Sequence, residues 1–110
     1  MNIQIFGKSK CFDTKKAERY FKERGIKFQA VDLLRFGMSR GELTSVAKAV
    51  GLEALVDWKN AGSALLKHLA YDTDKLEKLL EDPRLIRTPV VRNGRQATVG
   101  YQPEIWKSWE

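Results

Sequence analysis

The sequence predicts an α/β fold: a four-stranded mixed sheet with flanking helices and a helical insertion at about residues 39–83. Three observations predict it. The chain opens with a strand, a helix and a second strand. Its middle carries apolar residues at helical spacing, and its last quarter holds a hairpin signal followed by one more helix.

Residues 2–6 alternate imperfectly and are rich in Ile and Phe, which reads as a strand, with Gly7-Lys8-Ser9-Lys10 as the loop after it. A helix is expected from about Phe12 to Arg24, with Ala17, Tyr20 and Phe21 on one stripe and Gly25 as its stop. Residues 27–33 give a second strand through Phe28, Ala30 and Val31, and a β-α-β unit favours parallel strands with a right-handed crossover. Ser39 with Glu42 makes a capping box for a helix carrying Leu43, Val46, Ala47 and Val50 up to Gly51. Short helical pieces are expected over 52–71. Thr73 is the expected N-cap of a further helix through Leu76, Leu79 and Leu80, closed by Asp82-Pro83. Thr88 to Arg92, a turn at Asn93-Gly94-Arg95, and Gln96 to Val99 read as a β-hairpin. A last helix starts at about Pro103 with Ile105, Trp106 and Trp109 as anchors. The order βαβ, helical insert, ββα is what a thioredoxin-like domain with an inserted segment gives, and other small α/β folds share it.

At 110 residues the chain has the length of one domain, large enough to hold an ordinary core without disulfides. No apolar run approaches the ~20 residues of a membrane span, and the start lacks the parts of a signal peptide, so a cytoplasmic protein is expected. The net charge of +6 comes from basic residues that mostly alternate with acids. A solvated surface explains that pattern better than a nucleic-acid face, and no basic-aromatic motif stands out. With one cysteine, Cys11, an intramolecular disulfide is excluded; with His68 as its only soft companion, so are the usual zinc sites, and no metal is expected. A sulfur partner for Cys11 must come from another molecule.

Cys11 stands between a strand end and a helix start, where free N–H groups and the helix dipole stabilise a thiolate. Lys8, Lys10, Lys15 and Lys16 are expected to lower its pKa further, with Asp13 opposing them weakly. The alternative is an inert, buried cysteine. Thr88-Pro89 is either a cis proline beside the cysteine loop, whose preceding backbone pairs with a bound thiol, or a trans proline ending a loop. Among Arg84, Arg87, Arg92 and Arg95, only Arg87 is expected at the site, since it directly precedes Thr88-Pro89. Trp58, Trp106 and Trp109 are either a partner surface or core, and His68 is a packing or surface residue.

The runs GKSKCFDTKKAERYFKERGIKF, DPRLIRTPVVRNG and ATVGYQPEIW together resemble the arsenate reductase-like family of thioredoxin-fold proteins, the ArsC/Spx group, over nearly the whole chain. Cys-x-x-Thr before a lysine-rich helix is that family's opening motif. Leu85-Ile86-Arg87-Thr88-Pro89 is similar to its Leu-Ile-x-Arg-Pro, and Val99-Gly100-Tyr101 to its closing strand and turn. The resemblance implies that Cys11 attacks arsenate or a disulfide, with glutathione and glutaredoxin completing the cycle, and that Pro89 is cis. Three arginines hold the oxyanion in true arsenate reductases. Here Trp58, Thr88 and Tyr101-Gln102 stand at or near those places, so efficient arsenate reduction is not expected. Thr-Pro is instead similar to glutaredoxins, where the backbone beside the proline docks glutathione.

Two functions follow as expectations. The first is a monothiol oxidoreductase with Cys11 as nucleophile and Ser9, Lys10, Thr14, Lys15, Arg87, Thr88 and Pro89 lining the thiol site. It binds no resident cofactor and uses glutathione, another small thiol or a glutaredoxin-type donor as reductant. The second is a non-catalytic regulator resembling Spx, which binds the α subunit of RNA polymerase. Thr14 stands where Spx has its second cysteine, which removes the intramolecular redox switch.

Overall fold

The computed structural model describes all 110 residues. Strands β1 (Ile3–Gly7), β2 (Phe28–Asp32), β3 (Val90–Asn93) and β4 (Gln96–Val99) form one sheet in the order β2-β1-β3-β4. β2 runs parallel to β1, as a βαβ unit should, while β3 is antiparallel to β1 and β4 to β3. The mixed α/β class read from the sequence is the class observed.

The register sorts side chains onto two faces. Ile5 pairs with Val91, and Phe6 with Val90. Ile3, Ile5 and Val91 join Ala17, Tyr20 and Phe21 of α1 (Phe12–Glu23) and Trp106 of the C-terminal helix in one core. Phe6, Val90 and Val99 face the other way, into a larger core built by the insertion. The period-2 alternation of a strand thus places two adjacent β1 residues in two different cores.

The insertion begins earlier than the sequence suggests. Asp32 accepts the N–H of Leu34 at 3.2 Å and caps a short helix, α2 (Leu33–Phe36), so the second strand ends at Asp32 and not at residue 33. The Ser39–Glu42 capping box forms as expected and starts α3 (Arg40–Val50). Then come α4 (Leu52–Leu55), a 3₁₀ segment over Ala61–His68 and α5 (Asp72–Glu81). Thr73 lies inside α5; the N-cap is Tyr71, whose side chain cannot cap, and Asp72 and Asp74 in the first turn complement the helix dipole instead.

The hairpin turns through Gly94 and Arg95, with positive φ only at Gly94, its first loop residue. β3 starts at Val90 and not at Thr88, because Pro89 has no N–H for a ladder; the Thr88–Pro89 bond is cis. The last helix, α6 (Pro103–Ser108), is anchored by Trp106, fully buried with its Nε1–H donated to Thr98 Oγ1 at 2.8 Å. Trp109 packs at the edge of that core, whereas Ile105 is exposed and anchors nothing.

Candidate active site

The site forms where the loop after β1 meets the segment before β3. Gly7 makes this junction close: a Cβ there would lie 2.1 Å from Thr14 Cγ2, so only glycine lets the start of α1 sit against β1. Cys11 is the N-cap of α1 in extended backbone, and its neutral thiol makes no capping bond. In that form Sγ donates to the Thr88 carbonyl at 3.6 Å, which places the sulfur beside cis-Pro89.

Partial burial pushes the Cys11 thiol up. Hydrogen bonds from the Thr14 and Thr88 side chains, then from the backbone N–H groups of Thr14 and Asp13, outweigh burial and leave the pKa below the ordinary thiol value. Hydrogen bonds, rather than the four lysines expected from the sequence, lead the lowering, and among the lysines the Lys8 charge and the Cys11 thiolate favour each other. Lys15 and Lys16 turn toward aromatic rings, Nζ lying 5.9 Å from the Phe12 centroid and 5.7 Å from that of Tyr101. Lys8 donates Nζ–H to the carbonyls of Arg84 at 3.0 Å and Ile86 at 2.8 Å. Burial lowers the Lys8 pKa, and the charges of Asp57, Cys11 and Asp82 raise it in part. Lys8 is therefore a clamp between the cysteine loop and the chain leading to Thr88-Pro89.

A cleft of about 720 Å³ opens at the sulfur. Of the residues the sequence analysis singles out, Ser9, Lys10, Cys11, Arg87 and Thr88 line it. Thr14 is buried beneath and reaches the sulfur from α1, while Lys15 borders a separate, smaller groove between α1 and β2. Pro89 is buried behind Thr88. Of the four clustered arginines, Arg84 pairs with Asp82, Arg92 lies between Gln4 and Glu42, and Arg95 sits on the hairpin turn. Arg87 lines the cleft, its guanidinium lies beside Gly100, 3.2 Å from where a Cβ would be, and no carboxylate pairs with it.

The far side of the cleft comes from the insertion and carries Ala54, Val56, Asp57, Trp58 and Lys59. Backbone bonds place it there: Asp57 N–H to Leu85 O at 2.7 Å and Arg87 N–H to Leu55 O at 2.8 Å, around a Val56–Ile86 bridge. These residues lie 29 to 34 positions before Thr88 in sequence, and no local pattern marks them as cleft residues. Trp58 is half-buried at the cleft, neither wholly core nor a free surface patch. His68 is exposed, and no group of His, Cys, Asp and Glu side chains is arranged to hold a metal ion. No helix is long and apolar enough to cross a membrane.

A cysteine at a helix start, its thiol pKa lowered by hydrogen bonds and its sulfur open to a cleft, can attack sulfur or a small electrophile. Comparison with known proteins agrees with this geometry. The global transcriptional regulator Spx 2 of Oceanobacillus iheyensis is 30% identical over 110 residues, covering 94% of this chain and 80% of the relative. An arsenate reductase structure from Vibrio cholerae superposes with a TM-score of 0.86 at 24% identity, covering 98% of this chain and 97% of that one. The NrdH-redoxin of Escherichia coli, a glutaredoxin-like protein, reaches 0.52 at 16% identity over 100% and 96%, which places the fold among thioredoxin-like proteins. The ArsC family model matches residues 6–109, from the end of β1 through α6, and the chain belongs to the ArsC family.

Proposed function

We propose that the protein is a monothiol reductase acting by thiol–disulfide exchange. The observation that carries this reading is the Cys11 environment: a thiol lowered by hydrogen bonds at the start of α1, open to a cleft, 3.6 Å from the carbonyl before cis-Pro89. The Cys11 thiolate attacks one sulfur of a mixed disulfide; a Cys11–sulfur bond forms, the substrate S–S bond breaks, and the other sulfur leaves as a thiolate that takes a proton from solvent. An external thiol, of which glutathione is the leading candidate, then attacks the adduct as its thiolate. That forms a new external disulfide and returns the Cys11 thiolate. Each turnover consumes one external thiol: the substrate disulfide yields one free thiol, and its other sulfur leaves Cys11 in the new disulfide with that external thiol.

Arg87 supports a thiol that carries a carboxylate, since it lines the cleft and no carboxylate pairs with its guanidinium. Oxyanion reduction has less support, because no ring of cations surrounds the sulfur. The reading is tested by following release of a thiol from a glutathione mixed disulfide, with glutathione as reductant. Turnover that vanishes in Cys11→Ser is the expected result; equal rates in both proteins refute it.

A second reading rests on the Spx relative: a partner-binding regulator, with RNA polymerase as the partner to try first. Cys11→Ser separates the two. A regulator without a redox switch keeps its partner affinity in that variant, whereas a reductase loses its turnover.

A further inference from the structure

We propose that Trp58 determines substrate choice in the Cys11 cleft: it selects disulfides that carry a ring-sized apolar group near the reacting sulfur. This rests on the thiol-exchange reading above and names the substrate class for it.

Trp58 is held in one orientation. Its Nε1–H donates to the Glu53 carbonyl at 3.0 Å, part of the ring packs on the insertion core, and Lys67 Nζ lies 5.4 Å from the ring centroid. Trp58 lines the same cleft as Cys11, which Ala54 and the exposed Leu34 also line, and it borders a smaller pocket with Leu52, Asp72 and Lys75. A fixed indole is a ready-made wall, because little side-chain freedom remains to be lost when a ligand packs on it.

The cleft's size and charge agree. About 720 Å³ is the volume of a site for an organic ligand, far more than a tetrahedral oxyanion of a few atoms needs. Its charged lining is mixed: Lys10, Lys59 and Arg87 share it with Asp13, Glu53 and Asp57, and Lys8 is committed to two backbone carbonyls. Such a lining neither concentrates small anions nor repels a zwitterionic thiol. Selection therefore falls to the apolar wall.

The test uses two unreactive thioethers, S-benzylglutathione and S-methylglutathione, titrated calorimetrically into the full chain. The benzyl conjugate should bind about tenfold more tightly than the methyl one, the scale of one aromatic contact added to its buried area. In Trp58→Ala that preference should fall below about twofold, while Trp58→Phe retains most of it. Iodoacetamide alkylation of Cys11 should stay within about twofold of the parent in both variants, since neither touches the thiolate's hydrogen bonds. Trp58→Leu keeps the core anchor without the ring, and should also lose most of the preference if Trp58→Ala does not fold. Equal affinities for the two conjugates in the parent, no binding of the benzyl conjugate, or a preference that survives in Trp58→Leu each overturn the proposal. Absence of turnover with the binding preference intact would overturn the reductase reading alone.

Discussion

Replacing Thr14 by Val tests the hydrogen bonding around Cys11 most directly. Thr14 is 7% exposed, and its side chain is first among the groups that favour the thiolate. Valine preserves the methyl group that packs against Gly7 and puts a second methyl in place of the hydroxyl, whose other partner is the Lys8 N–H at a long 3.4 Å. A hydrogen bond to a charged group is worth about 1.5–3 kcal/mol, and 1.36 kcal/mol corresponds to one pKa unit, so the Cys11 midpoint should rise by roughly 1–2 units. The assay is the rate of iodoacetamide alkylation from about pH 4 to pH 10. The thiolate is the reacting form, so raising the pKa lowers its fraction at every pH below the parent midpoint. Rates there should fall about 10- to 100-fold and converge above the variant's midpoint. A midpoint that moves by less than about 0.3 unit refutes the reasoning and leaves the Thr88 side chain and the N–H groups of Asp13 and Thr14 as the source of the lowering. The variant with Lys10, Lys15 and Lys16 all changed to Ala is the control. Its midpoint should rise by less than about 0.5 unit and lose that shift in high salt, because these charges act only through solvent.

Gly7→Ala puts a methyl group 2.1 Å from Thr14 Cγ2 and must push α1 off β1. It should cost roughly 1–3 kcal/mol in denaturant unfolding, and also raise the Cys11 midpoint through the displaced Thr14. Lys8→Met strips two carbonyl partners, Arg84 O and Ile86 O, from the clamp. It should destabilise the chain by about 1–3 kcal/mol and slow alkylation as the Thr88 segment loosens from the sulfur; an unchanged unfolding midpoint would show that the clamp is not needed. Trp106→Phe removes a buried hydrogen bond to Thr98 and leaves its hydroxyl unpaired beside a void. A loss of roughly 2–4 kcal/mol is expected with an unaltered Cys11 pH profile, which separates the α6 core from the site.

The strands and the helices that flank them were legible because each carries its own punctuation: Gly25 after α1, the Ser39–Glu42 box before α3, Asp82-Pro83 after α5 and Asn93-Gly94 in the hairpin. The position of Cys11 was legible for the same reason, since a strand, a short loop and a helix leave one residue at the helix start. What sets the sulfur's chemistry was less so. Four nearby lysines suggest electrostatics in the sequence, yet two of them lie over aromatic rings and a third serves as a backbone clamp. Side-chain direction is settled by tertiary partners, which sequence distance does not encode. The far wall was illegible for a related reason. Residues 54–59 reach the cleft through backbone bonds to Leu85 and Arg87, and such pairings leave no periodicity in an irregular segment. Asp32 shows the converse error: its capping signal is present in the sequence, but an apolar strand pattern running through Leu33 masks it.

The position of Thr14 fixes how a Cys11 adduct must end. In a two-cysteine exchanger the residue three positions on supplies the second thiol, and release is unimolecular. Here that position is a buried hydroxyl, and no second sulfhydryl exists in the chain. An alcohol does not displace thiolate from a disulfide near neutral pH, so an adduct at Cys11 persists until a thiol enters the cleft. Lifetime is then set by the concentration of that thiol. After treatment with glutathione disulfide, mass spectrometry should find one glutathione per chain, stable for as long as no thiol is added. Added thiol should remove it at a rate proportional to concentration, with no intercept. A thiol-independent decay would mean that a group of the protein releases the adduct unaided, and the requirement for an external resolving thiol would fall. In Thr14→Cys the same decay should become independent of added thiol, because the new sulfhydryl occupies the place from which the hydroxyl now reaches Sγ.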